Sequence, residues 1–95
     1  MAPAVHSGRL LKRELTARKL SANRLALDIG VSSGRITDIL NARRAITADP
    51  AVRLGRYFGN CAPFWLDLQS QYDIAVVERK KGGEIAKRVR PADAA

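Results

Sequence analysis

One cysteine and one histidine in 95 residues leave almost nothing for thiol or metal chemistry. A lone cysteine forms no intrachain disulfide and no ligand set, which predicts a reducing cytoplasm. Aromatic residues are 5% of the chain, so any core is mainly aliphatic. No apolar run approaches the ~20 residues of a membrane span, so no membrane association is expected. The start, Met-Ala-Pro-Ala-Val-His, has neither a basic n-region nor an apolar h-region, so export is not expected. No Ser/His/Asp set, carboxylate pair or phosphate-cradling glycine loop is present. The expectation is no enzyme, no cofactor, no metal and no small-molecule substrate. Strand-like alternation never lasts beyond a few residues, which points to an all-α fold.

What is present is positive charge, and its placement says more than its total. The net charge is +8. Residues 6–58 carry eleven Lys/Arg against four Asp/Glu, or +7. Residues 59–78 carry three acids and no base, and residues 79–95 return to +4. A basic first half is what a phosphate-binding surface needs.

That basic half contains two capped starts eleven residues apart. Leu20-Ser21 with Leu25, and Val31-Ser32 with Ile36, each fit a hydrophobic staple around a serine N-cap. Ala26 lies four residues before Gly30 and lets a second helix cross closely. Gly30 supplies the positive φ of a tight turn. Ile36 and Ile39 then share one face and pack back. This is the pattern of a helix-turn-helix, whose second helix enters the DNA major groove. A helical hairpin with no DNA role is the alternative on these residues alone.

The rest of the chain predicts three more helices. Helix 1 covers about residues 7–18, with Leu10, Leu11 and Leu15 inward and Arg9, Lys12 and Arg13 outward. Helix 2 is placed at about 22–28 and helix 3 at about 33–41. Thr47 caps helix 4, which buries Val52, Leu54 and Phe58 and stops at Gly59. Helix 5 begins at Ala62-Pro63 and ends near Glu78, with Phe64, Trp65, Leu68, Tyr72 and Val76 on its apolar face. Residues 1–6 read as an arm, 7–79 as one domain, and 80–95 as a mobile basic tail. Cys61 reads as a small buried hydrophobe, and His6 receives no role.

With Ile36, Ile39 and Leu40 inward, Ser33, Gly34, Arg35, Thr37 and Asp38 remain for the groove. Arg35 suits guanine O6/N7; its alternative is an intrahelical pair with Asp38. Thr37 suits a thymine methyl. Arg43 and Arg44 follow the helix and suit phosphate, or are solvated loop charges. Ser32 serves as cap and phosphate donor.

Beyond the motif, the string from Ser32-Ser33-Gly34-Arg35-Ile36-Thr37-Asp38-Ile39-Leu40-Asn41 through Leu54-Gly55-Arg56-Tyr57-Phe58-Gly59 leads to Phe64-Trp65-Leu66-Asp67-Leu68-Gln69 and Tyr72-Asp73. Over about residues 7–79 the chain resembles the HigA (VapI-like) antitoxins of the XRE, or Cro and phage-repressor-like, class. The resemblance implies a five-helix fold and a cytoplasmic, nucleoid-associated dimer on an inverted-repeat operator of double-stranded DNA. It also implies a HigB partner, a RelE-like toxin that cuts mRNA on the ribosome. Four positions depart from the pattern. Ala22 stands where glutamine often contacts phosphate, leaving Asn23 or Arg24 as substitutes. Ala42 stands where glycine is usual, so Asn41 is expected to take the left-handed turn. Cys61 stands where serine usually caps helix 5, so Asn60 is expected to cap it. Gly34 lies inside helix 3, either for close approach to DNA or with no role.

For the toxin or dimer interface, the expected residues are Phe64, Trp65, Asp67, Leu68, Tyr72, Asp73 and Glu78. The acids suit a basic toxin. Of Phe64 and Trp65, adjacent on one helix, one should face the core and the other a twofold partner. A free-standing repressor without a toxin, and a protein-interaction module with a structural helix-turn-helix, remain as competing readings.

Overall fold

Five helices make up the computed structural model, which describes residues 5–92: α1 Ser7–Arg18, α2 Ala22–Ile29, α3 Ser33–Leu40, α4 Ala48–Phe58 and α5 Ala62–Arg88. The described residues contain no strand. The core is one cluster of Leu11, Leu15, Leu25, Ala26, Ile29, Ile36, Ile39, Ile46, Ala51, Leu54 and Trp65. α1 and α2 clasp α3, while α4 packs along α5 and touches α2. Every helix therefore lends a face to one interior, as a chain this short requires.

The turns explain the helix limits. Ser21 Oγ accepts from Arg24 N at 3.0 Å, and Ser32 Oγ from Arg35 N at 3.2 Å, so both expected serine caps form. Gly30 has φ +73° and Gly59 has φ +75°, as expected of αL stops. Thr47 occupies the N-cap position of α4 but its side chain makes no capping bond.

The turn after α3 differs from expectation. Asn41 stays at φ −90°, and Ala42 takes the left-handed conformation at φ +59°. Arg43 N donates to Asp38 O at 2.8 Å and Ala42 N to Ile39 O at 3.1 Å. That pair of bonds is a Schellman closure, which demands αL one residue beyond Asn41. A Cβ in αL costs roughly 1–2 kcal/mol, partly offset by the lower unfolded-state entropy of alanine. Ala42→Gly is therefore expected to raise the unfolding free energy by roughly 0.5–1 kcal/mol in chemical denaturation.

Other corrections concern burial. Val52 is 45% exposed; Pro50, Ala51 and Gly55 fill the inner face of α4 instead. Cys61 is exposed, because its extended backbone at the α5 N-cap points the thiol outward and no side-chain cap bond forms. Asn60 does not cap α5 either. Its Oδ1 accepts from the Trp65 indole Nε1 at 2.9 Å.

α5 runs ten residues past its expected end, to Arg88. Gly82 and Gly83 oppose this by about 1 kcal/mol each. Their neighbours are mostly strong helix formers, and extension from an already packed helix needs no new nucleus. The far half of α5 projects from the body, giving extents of 51 × 26 × 25 Å. The helical part of the expected tail thus ends at Arg88, and residues 93–95 lie outside the described residues.

His6, expected within the arm, is buried and caps α1. Its Nδ1 accepts from Gly8 N at 2.9 Å, and its ring stands edge-on to Tyr72 at 4.9 Å. Burial holds the imidazole below its ordinary value of 6.5, against the opposing charge of Asp73. The unfolded chain then binds the proton more readily than the folded one. His6 stabilises fully above about pH 6.5 and loses its contribution as pH falls from there through its lowered folded value. Stability measured by urea unfolding is expected to decline as pH falls below about 6.5, and His6→Asn, which keeps an acceptor, should flatten that decline.

Candidate nucleic-acid interface

α3 is an eight-residue helix with one buried side and one open side. Ile36 and Ile39 are wholly buried, while Ser32, Ser33, Gly34 and Thr37 are exposed. This arises from helical spacing: positions 36, 39 and 40 share the face that α1 and α2 cover. Thr37 Oγ1 donates to Ser33 O at 3.0 Å. Nothing lies within 4 Å of a Cβ built on Gly34, so no fold contact requires glycine there.

Arg35 and Asp38 are half-buried and form no ion pair with each other. The Arg35 Nε is shielded and has no protein partner, so its guanidinium is not consumed within α3. Arg43 and Arg44 are exposed and also unpaired among the described residues. Their backbone N–H groups are occupied by Asp38 O, which fixes the loop and leaves only the side chains to reach outward.

α2 supplies the other edge. Asn23 lines a shallow groove with Leu27, Gly30, Val31, Ser32 and Ser33, so it stands beside the start of α3. Arg24 is drawn back along its helix to Asp28 at 3.3 Å. Of the two expected substitutes for a phosphate-binding glutamine, Asn23 is thus the free one.

Two anchoring side chains went unrecognised in the sequence. Arg53 on α4 donates from Nη1 to Ile29 O at 2.7 Å and to Gly30 O at 3.2 Å, and from Nε to Asp49 at 2.7 Å. It caps the C-terminus of α2 and pins the turn between α2 and α3. Gln69 is buried on α5; its Oε1 accepts from Ser7 Oγ and from Ile46 N at 3.1 Å, and its Nε2 donates to Asp73 at 3.0 Å. One amide therefore joins α1, the loop after α3, and α5. A period of 3.6 residues marks apolar faces, and it carries no signal for an arginine or glutamine reaching across to another element.

The expected partner-facing residues of α5 divide. Trp65 is wholly buried, between Phe58 and Phe64, and offers no surface to a partner. Phe64 is 40% exposed, and Leu68 and Tyr72 are half-buried. Asp67, Asp73 and Glu78 are exposed. At 100° per residue Asp67 and Glu78 share a face, whereas Asp73 is turned about 120° away and held by Gln69. The described residues contain no cluster of metal-ligating side chains and no helix long and apolar enough to cross a membrane.

A helix-turn-helix family model matches residues 11–66, which span α1 to the start of α5. Virulence-associated protein I of Dichelobacter nodosus is 46% identical over 80 residues, covering 83% of this chain and 74% of that protein. The chain belongs to the XRE-like helix-turn-helix family, in its VapI/HigA group. An addiction module antidote protein of the HigA family from Coxiella burnetii superposes with a TM-score of 0.91 at 43% identity, covering 96% of this chain and 100% of that one. The Pseudomonas aeruginosa antitoxin HigA, solved with the higBA promoter, superposes at 0.89 and 37% identity, covering 95% and 99%. In this HigA-group protein α3 presents an exposed face, and Trp65 and Gln69 are buried on α5.

Proposed function

We propose that this chain is the antitoxin of a two-gene toxin–antitoxin module. It binds the operator of its own genes as a homodimer, represses them, and neutralises a RelE-like mRNA-cleaving toxin by binding it. The observation that carries the DNA part is the open face of α3, with Ser32, Ser33, Gly34 and Thr37 exposed, Arg35 Nε without a hydrogen-bond partner, and Arg43 and Arg44 in no ion pair among the described residues. A relative at 37% identity was solved with promoter DNA, which supports that reading. Each recognition helix enters a major groove, and a dimer spaces the two about 34 Å apart, so the operator is an inverted repeat. Asp67 and Glu78 on one face of α5, beside exposed Phe64, form the surface offered to the basic toxin, and complementary charge speeds that encounter.

The test is a salt series of operator binding with two variants. Arg35→Ala is expected to cost about 1–3 kcal/mol at one base position per half-site and to relax preference there. Arg43→Ala with Arg44→Ala is expected to weaken all sequences alike and to lower the salt slope by about 0.9 per lost phosphate contact. Binding that ignores salt and both variants would overturn the DNA reading.

A further inference from the structure

A broad groove lies outside the face assigned to base reading. It is about 870 Å³ and runs between α1 and the C-terminal end of α3, lined by Arg9, Lys12, Arg13, Thr16, Ala17, Leu40, Asn41 and Ala42. Positions 9, 12, 13 and 16 fall at i, i+3, i+4 and i+7, so one side of α1 carries a stripe of three cations ending in a hydroxyl. All three cations are exposed, and none forms an ion pair among the described residues. No acid lines the groove. The acid nearest in α1, Glu14, is turned to Arg18 at 3.1 Å. The opposite lip continues directly into Arg43 and Arg44, which are also exposed and unpaired.

We propose that this α1–α3 groove is a second duplex-DNA contact, in which Arg9, Lys12 and Arg13 take backbone phosphates beside those held by Arg43 and Arg44. It rests on the DNA-binding function proposed above. Three like charges on one helix face repel one another in the free protein, and a polyanion relieves that repulsion. The rail is continuous with the loop at the end of the recognition helix, so a strand seated on Arg43 and Arg44 passes along α1. The occupant is phosphate backbone rather than base edges, because the polar groups α1 presents are three cations, while the Thr16 hydroxyl is spent on Lys12 O at 3.0 Å. A phosphate clamp of this kind adds affinity for every sequence and fixes orientation without reading bases. The same charges make a basic toxin an unsuitable occupant.

The experiment compares two triple variants of equal net charge on the full chain. In one, Arg9, Lys12 and Arg13 become alanine; in the other, Arg79, Lys87 and Arg90 on the far part of α5 and just beyond it do. Binding to a fluorescent duplex carrying the promoter of the chain's own gene is followed by anisotropy from 50 to 200 mM salt. If each α1 cation holds one phosphate, the ratio of wild-type to α1-variant affinity falls by roughly 40-fold per protomer across that range, from a slope change of about 2.7. The α5 variant keeps the wild-type slope. Circular dichroism confirms that both variants fold, since all six positions are exposed. Equal slopes for the α1 variant and wild type overturn this inference, and so does an equal loss in both triple variants, which would make the effect one of net charge. The Arg43→Ala/Arg44→Ala chain separates this from the broader reading: if it loses slope while the α1 variant does not, only the second contact is wrong. If neither loses slope and wild-type binding also ignores salt, the DNA reading itself is overturned together with this inference.

Discussion

Trp65→Ala is expected to lower the unfolding free energy by about 3–5 kcal/mol, the usual cost of deleting a large buried aromatic. Trp65 has no exposed surface, and it is clasped by Phe58 at 5.9 Å and Phe64 at 5.2 Å between ring centroids. It joins α4 to α5, so its removal opens a void in the α4–α5 seam, against which α1 and α2 pack. For a domain of this size each kcal/mol corresponds to roughly 4–8 °C in melting temperature. The melt should therefore drop by about 12 °C or more, or be lost at 37 °C, in a thermal scan by circular dichroism. Trp65→Phe keeps most of the apolar volume and loses only the bond to Asn60. It should cost much less, and an equal cost for the two variants would show that packing is not the main term.

Gly8→Ala should also destabilise, for a different reason. A Cβ on Gly8 would sit 1.9 Å from Ile39 O and 2.9 Å from Ile39 C, both backbone atoms of the recognition helix. Neither can yield by a rotamer change, so α1 must move off α3. The expected loss is about 1–3 kcal/mol or more, as for other overpacked sites, with weaker DNA binding because α3 is displaced. The same substitution at Gly34 meets open space and should instead stabilise by about 1 kcal/mol, the helix-propensity difference. Denaturation curves of the two alanine variants, run side by side, check both signs. Destabilisation of equal size at both positions would contradict the account of Gly8 as a close-approach residue.

Ser21, Gly30 and Ser32 set the limits of α2 and α3 through local bonds that a few residues suffice to make. Arg53 and Gln69 act across 24 and 62 positions of chain and hold those same helices in place. The site is thus local in its recognition helix and non-local in its support.

The sequence by itself determined the all-α class, the two serine caps, the Gly30 turn and the inward set of Leu25, Ala26, Ile36 and Ile39. These are matters of period and capping, which depend on neighbours three or four residues away. It also carried the basic first half, the candidate base reader Arg35 and the candidate phosphate contacts Arg43 and Arg44, because charge and spacing are properties of the string. Only the tertiary structure decided that Ala42, rather than Asn41, takes the left-handed turn, since the closing bonds return to Asp38 and Ile39. Only it placed Val52 outward and buried His6, because burial depends on which element covers a face. The reach of α5 to Arg88 was hidden by Gly82 and Gly83, whose local penalty is overcome by a helix nucleated on the core. The partners of Arg53 and Gln69 were invisible for the most general reason. A polar side chain bonded across the fold leaves no periodic mark in the sequence, and only the folded chain brings its acceptors within reach.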